Sequence, residues 1–233
     1  MADCQDHVLR IDGTQAYSLS VVTDLDRLCD RVEDAHGRQR VLLRLTGVPD
    51  GDPTSGLTVA IVNKWERTLR RLERLDALVV AVAENDIGGL AVDALLVADF
   101  RVVARQSRIL LPTAAGGTWP GMALYRLTQQ LGVGAARRAM VRDRPLSADE
   151  ALRMGLVDDL VDAYPVVPEK VPLRLPVPAR TGTALRRRLV LDAASQSFEE
   201  ALGSHLAACD RMLRGSRELV GTTGTEDTKG TRP

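Results

Sequence analysis

Residues 77–104 read ALVVAVAENDIGGLAVDALLVADFRVVA. The apolar run over 77–83 predicts a buried strand, because it is bounded by turn formers and rich in β-branched residues. ENDIGG over 84–89 reads as a turn, LAVDALLVA over 90–98 as a short helix, and DFRVVA over 99–104 as the next strand. Strands alternating with helices in this way point to an α/β architecture.

Upstream, VLLRLTG over 41–47 is a further strand, followed by the turn-rich loop VPDGDPTSG. A helix over 57–75 carries Ile61, Trp65, Leu69 and Leu72 on one face, with Lys64, Arg67, Arg70, Arg71 and Arg74 on another. Earlier still, Leu25, Leu28, Cys29 and Val32 predict a helix over 24–34, with Gly37 just past its end. Residues 7–11 and 17–22 read as two strands of a hairpin around Asp12-Gly13.

Downstream, 107–112 reads as a strand, and GTWPG precedes a helix beginning near Met122. Further helices are expected at 133–141 and 147–154, the last with a Ser147/Glu150 capping box and Gly155 at its end. LVDDLV over 156–161 is a strand. Five of the eleven prolines fall between 165 and 178. The expected organisation is therefore a core over 1–164, an extended linker over 165–182, amphipathic helices over 183–215 and a polar, disordered tail over 216–233. In the third part Phe198, Leu202, Leu206, Cys209 and Leu213 form one stripe, behind a second capping box at Ser197 and Glu200.

Composition narrows the function. Thirty-one basic residues balance 31 acidic ones, and only 3% of residues are aromatic. Such a chain has neither the overall field nor the stacking platforms for nucleic acid, so no nucleic-acid partner is expected. Cys4, Cys29 and Cys209 have no metal-ligand or CxxC spacing, which argues against a disulfide framework or a zinc site and fits a reducing cytoplasm. The N-terminal MADCQDHVLRIDG lacks the pattern of a signal peptide. The apolar run over 77–83 is too short for a membrane span. His7, His36 and His205 sit in segments without a nucleophile signature, and the GxSxG elbow is absent.

LVVAV, the glycine turn, the Asp93 helix, ADFRVVA, RILLP, GTWPG and LSADEALRMGLVDDLV follow one another in the order found in the crotonase (enoyl-CoA hydratase/isomerase) superfamily. That superfamily has PVIAAVNG, a Gly-rich turn, CDIRIA, FGxPE, GxxPG and ISAxEAxxxGLVDxVV. The resemblance covers residues 40–162. It implies an α/β, crotonase-like (ClpP/crotonase) fold with repeated β-β-α units and a C-terminal helical segment. KWERTLRRLERL and TWPGMALYRL are further similar to the hydratase-like accessory proteins (DpgB type) of 3,5-dihydroxyphenylglycine biosynthesis.

The resemblance implies an enolate of a coenzyme A thioester, whose oxygen is met by two backbone N–H groups. It carries one donor to Leu90, after Gly88 and Gly89. The other falls in the loop after 41–47, with Gly56 and Leu57 as candidates. Of the two carboxylates that hydratases bring to the thioester, the first position holds Asp93 and the second Thr113. A threonine hydroxyl is no general acid or base near neutral pH. Glu84 or Asp86 is a candidate to replace the missing acid. Asp93 also reads as an ordinary first-turn helix acid. Gly117 and Gly121 match the GxxPG step, and Trp119 is either a wall of the acyl pocket or a core tryptophan. Tyr125 and Arg126 receive no role.

The implied function is a hydratase- or dehydratase-like lyase. It needs no metal or cofactor beyond the coenzyme A of its substrate. The implied partners are a type III polyketide synthase forming 3,5-dihydroxyphenylacetyl-CoA, sister crotonase-fold enzymes, and other copies of the chain in a trimer or hexamer. The alternative is a scaffold that kept the fold without the chemistry, with the arginine stripe as its interface. No membrane partner is implied.

Overall fold

The computed structural model describes residues 5–54, 56–114, 117–142, 144–162 and 182–223. The elements are β1 (Gln5–Asp12), α1 (Leu19–Glu33), β2 (Gln39–Gly47), α2 (Val59–Leu72), β3 (Leu78–Ile87), α3 (Gly89–Leu96), β4 (Phe100–Ala104) and β5 (Arg108–Ile109). They continue as β6 (Thr113–Ala114), β7 (Gly117–Thr118), α4 (Met122–Arg142), β8 (Leu146–Ser147), α5 (Ala148–Met154), β9 (Asp159–Val161), α6 (Thr183–Ala193) and α7 (Phe198–Thr223). The fold is α/β, as the alternation of strands and helices predicts. Two compact units make up the chain, Met1–Ala184 and Leu185–Pro233.

In the first unit β1-β2-β3-β4-β9 form a parallel sheet, in which a helix crosses between each of the first four neighbours. Parallel strands covered on both faces need apolar residues at every position. Val79 to Ala83 in β3 are accordingly fully buried. Leu43, Leu45, Val79, Ala81 and Ala83 pack with α1, α2 and α3 in the main core, while Leu42, Val80, Val82 and Val102 form a smaller cluster. All eight residues of α3 are buried, so this helix runs through the interior rather than over it.

The expected hairpin over 7–22 does not form. β1 pairs in parallel with β2, and YSLSVV leads through the N-cap Ser18 into α1. Two local signals override the strand preference of Val21 and Val22. Ser18 caps the helix by accepting from Val21 N–H, and Asp12 Oδ1 accepts from Thr14 N–H at 2.9 Å and from its hydroxyl at 2.8 Å. ENDIGG is likewise only partly a turn, since β3 continues through Ile87. Arg44 Nε donates to Glu84 at 2.8 Å and Arg108 N–H to Asp86 at 2.7 Å, which holds both acids in extended chain.

α5 has the capping box at Ser147 and Glu150, and Gly155 closes it at φ 75°. α4 breaks at Gly132, φ 78°, into the two helices read from sequence. In the second unit Ser197 and Glu200 hydrogen-bond reciprocally at the start of α7. α7 runs to Thr223, so residues 216–223 continue the helix instead of belonging to the tail. Glu218, Leu219 and Val220 are compatible with helix there. The proline-rich stretch over 163–181 and residues 224–233 lie outside the described residues. No helix among the described residues is long and apolar enough to cross a membrane.

Candidate active site

Four glycines meet where β1, β2 and β3 end. A Cβ on Gly13 would stand 2.3 Å from the carbonyl oxygens of both Gly47 and Gly88, so no other residue fits without moving backbone. Gly89 has φ 48°, and a Cβ there would lie 3.0 Å from Gly13 O and from Pro49 Cγ. Gly88 N–H donates to Gly47 O at 2.9 Å. The close approach starts α3 directly at the sheet end, where the first-turn N–H groups of Gly89 and Leu90 have no acceptor within their own helix.

A cavity of about 250 Å³ opens in front of this turn. Its wall includes Gly88 and Gly89, the β2–α2 loop at Val48, Pro49, Gly51 and Pro53, the segment 110–113, Thr118, and Arg144. Among the described residues Arg144 is the charged side chain on the wall, and its guanidinium is paired with Glu150 at 2.5 and 3.0 Å. Free N–H groups at the positive end of a helix make this a place for developing negative charge on an oxygen.

The sequence-derived residues separate into two groups. Gly88, Gly89 and Thr113 come together on the wall, and Leu90 follows with its side chain fully buried in the core. Thr113 is exposed and pairs with Thr118 across the β6–β7 hairpin, in which Gly117 pairs with Ala114. Gly56 and Leu57 are not on the wall. Leu57 N–H already donates to Thr54 O at 2.9 Å, which removes it as an oxyanion donor. Of the loop residues that do face the cavity, the prolines carry no N–H, leaving Val48 and Gly51. Trp119 packs instead on Gly121, where a Cβ would lie 2.6 Å from its ring. Glu84 and Asp86 are held by Arg44 and Arg108, and neither lines the cavity.

Asp93 lies behind the turn, 4% exposed and away from the wall. Its Oδ2 accepts from the Tyr17 hydroxyl at 2.8 Å and from Trp65 Nε1 at 3.0 Å. The two rings meet edge to face, with centroids 6.3 Å apart. Arg126, 7% exposed, pairs with Glu66 at 2.8 Å and Glu73 at 3.4 Å beside them. Burial, reinforced by the charge of Glu66, pushes the Asp93 carboxyl up to about 6, while Tyr17, Trp65 and Arg126 act in the opposite direction. Burial and Asp93 push the Tyr17 phenol far above its ordinary value, so it stays a donor.

Sequence reasoning missed Tyr17, Arg126, Thr118 and Arg144. Tyr17 fell in a segment read as a strand, and Arg126 received no role. Glu66, adjacent to the apolar Trp65, was the visible hint of a buried charge pair. The arginine stripe is partly satisfied internally, because Arg71 reaches Asp30 at 2.7 Å and also holds Glu33 on α1. Lys64, Arg67, Arg70 and Arg74 are exposed. Among the described residues no group of three or more His, Cys, Asp or Glu is placed to hold a metal ion.

The comparisons with known proteins agree with this architecture. A family model described as enoyl-CoA hydratase/isomerase matches residues 59–213. An enoyl-CoA-hydratase of Amycolatopsis orientalis is 46% identical over 211 residues, covering 89% of this chain and 95% of that protein. Among solved structures, an enoyl-CoA hydratase/isomerase from Marinobacter aquaeolei superposes with a TM-score of 0.71 at 16% identity, covering 98% of this chain and 96% of its own. An enoyl-CoA hydratase from Thermoplasma volcanium gives 0.70 at 17% identity, covering 95% and 94%. With the family model spanning well over half of the residues and a relative aligned over nearly its whole length, the chain belongs to the enoyl-CoA hydratase/isomerase family.

Proposed function

We propose that the protein binds a coenzyme A thioester in the cavity and promotes loss of water from its acyl group, as a hydratase- or dehydratase-like lyase. One observation carries the reading: the open N-terminal turn of α3 and Thr113 share a wall that has no carboxylate among the described residues. The thioester oxygen takes hydrogen bonds from the α3 turn and from Val48 or Gly51, which stabilises the enolate. Thr113 and Thr118 hold acyl oxygens. A polyketo chain needs no strong base here, because its methylene protons are already acidified by flanking carbonyls, and aromatisation drives the dehydration.

That substrate class matches the resemblance to the accessory proteins of dihydroxyphenylglycine biosynthesis. The partner is then a type III polyketide synthase with sister crotonase-fold enzymes, in the cytoplasm, and the protein works as a trimer or hexamer. The resemblance supports this assignment, and the 46% identical enoyl-CoA-hydratase supports the hydratase-like chemistry alone. A second reading is favoured by the hydrogen bonds that occupy Asp93: a scaffold that binds the synthase without chemistry.

The test is reconstitution with a type III synthase and malonyl-CoA, following 3,5-dihydroxyphenylacetyl-CoA. Thr113→Trp fills the cavity from an exposed position and is expected to cut the aromatic yield at least about tenfold. An undiminished yield overturns the thioester reading. If Arg67→Glu with Arg74→Glu then abolishes co-purification with the synthase, the scaffold reading replaces it.

A further inference from the structure

The connection from β1 to α1 touches α3 at two places, one helical turn apart. At one end Gly13 lies in backbone contact with Gly88 and Gly89. Four residues later Tyr17, 9% exposed, donates its hydroxyl to Asp93. Gly89 and Asp93 are themselves four apart, one helical turn. Spacing on the connection therefore matches spacing on the helix. Trp65 of α2 donates to the same Asp93 oxygen, its ring against that of Tyr17.

We propose that Tyr17 is a positioning residue for the thioester site. Its hydroxyl on Asp93, with Gly13 set against Gly88 and Gly89, holds the first α3 turn so that its free N–H groups face the cavity. This rests on the cavity being the thioester site. Asp93 contributes to the reaction through the helix rather than by meeting the substrate. The groups around its carboxyl are Tyr17 from the connection, Trp65 and Glu66 from α2, and Arg126 from α4. The bonds from Tyr17 and Trp65 both fall on Oδ2, so a proton bound by Asp93 belongs on Oδ1. Ionised Asp93 grips Tyr17 and Trp65 by charge-assisted bonds, and protonation weakens that grip.

Trp65 reports on this arrangement directly. The chain has two tryptophans, and titrating the wild type should give a fluorescence inflection near pH 6, absent in Asp93→Asn. Tyr17→Phe keeps the ring packing and deletes one bond to the charged form. It should move the inflection upward by roughly one pH unit. Amide exchange at Leu90 and Ala91 should quicken, and turnover should fall about tenfold with KM little changed. An unmoved inflection overturns the proposal, as does unchanged amide exchange. Both readouts need no substrate. If they respond as expected while the wild type is inert toward every thioester offered, the functional reading fails and the positioning contact stands.

Discussion

The two sides of the first α3 turn are built on opposite principles. Behind it, Gly13, Tyr17, Trp65, Asp93, Glu66 and Arg126 are packed within contact or hydrogen-bond distance. In front lies a cavity whose polar wall, among the described residues, is backbone, two threonines and an already paired arginine. The carboxyl that the family resemblance would aim at substrate is thus occupied in holding the helix. A carboxylate that accepts two hydrogen bonds in a dry setting is poorly placed to exchange protons with a ligand. Backbone N–H groups need no such freedom, since they act by being fixed in advance.

The closed side should be the easier one to break. Arg126→Met leaves the largely buried Glu66 without its cation, next to Asp93, although Glu73 keeps Arg70, and should cost about 3 kcal/mol of stability by denaturant unfolding. A loss below about 1 kcal/mol would show that the pair is far better solvated than its burial implies. Next comes one substitution made on both sides. Gly13→Ala drives a methyl into two carbonyl oxygens and should cost about 2–3 kcal/mol. Gly51→Ala meets nothing within 4 Å and is strained only by φ 128°, so about 1 kcal/mol is expected. Equal losses would erase the contrast.

Much of the scaffold was legible because it is local. The 77–83 strand, the Gly88-Gly89 turn and the Ser147/Glu150 box each announce themselves within a few residues. The site was legible only on its open side. Nothing near Tyr17 indicates that its hydroxyl meets Asp93, 76 residues away. Periodicity says that a residue is buried and not what it is buried against. The hairpin misreading has the same origin: Asp12-Gly13 does turn the chain, but β1 finds its partner in β2, across a whole helix. Leu57 failed for a smaller reason, a local turn that took its N–H.

Asp93→Asn separates charge from shape behind the turn. The folded carboxyl is pushed up to about 6, above an unfolded value near 3.9. Its favourable contribution is therefore complete below about pH 4 and is lost as pH rises through 6. Asparagine keeps an oxygen for Tyr17 and Trp65 and carries no such dependence. The stability of Asp93→Asn relative to wild type should therefore increase by about 1–2 kcal/mol between pH 5 and pH 8. A difference that stays flat with pH would mean that Asp93 titrates near its ordinary value, and the closed side would not be dry.

The smallest effect on stability is expected at the front. Thr113 is exposed on a short hairpin, so Thr113→Glu should change stability by no more than about 0.5 kcal/mol. The same change places a carboxylate on the wall that holds the α3 turn. If the N–H groups there already polarise a thioester, hydration of crotonyl-CoA should rise at least about tenfold over wild type. Its pH profile should gain a limb in the ordinary glutamate range, because an exposed side chain escapes the desolvation that shifts Asp93. An unchanged rate with the thioester still bound would place the deficiency in the oxyanion donors rather than in the missing acid. The front would then differ from a working hydratase in geometry and not only in its side chains.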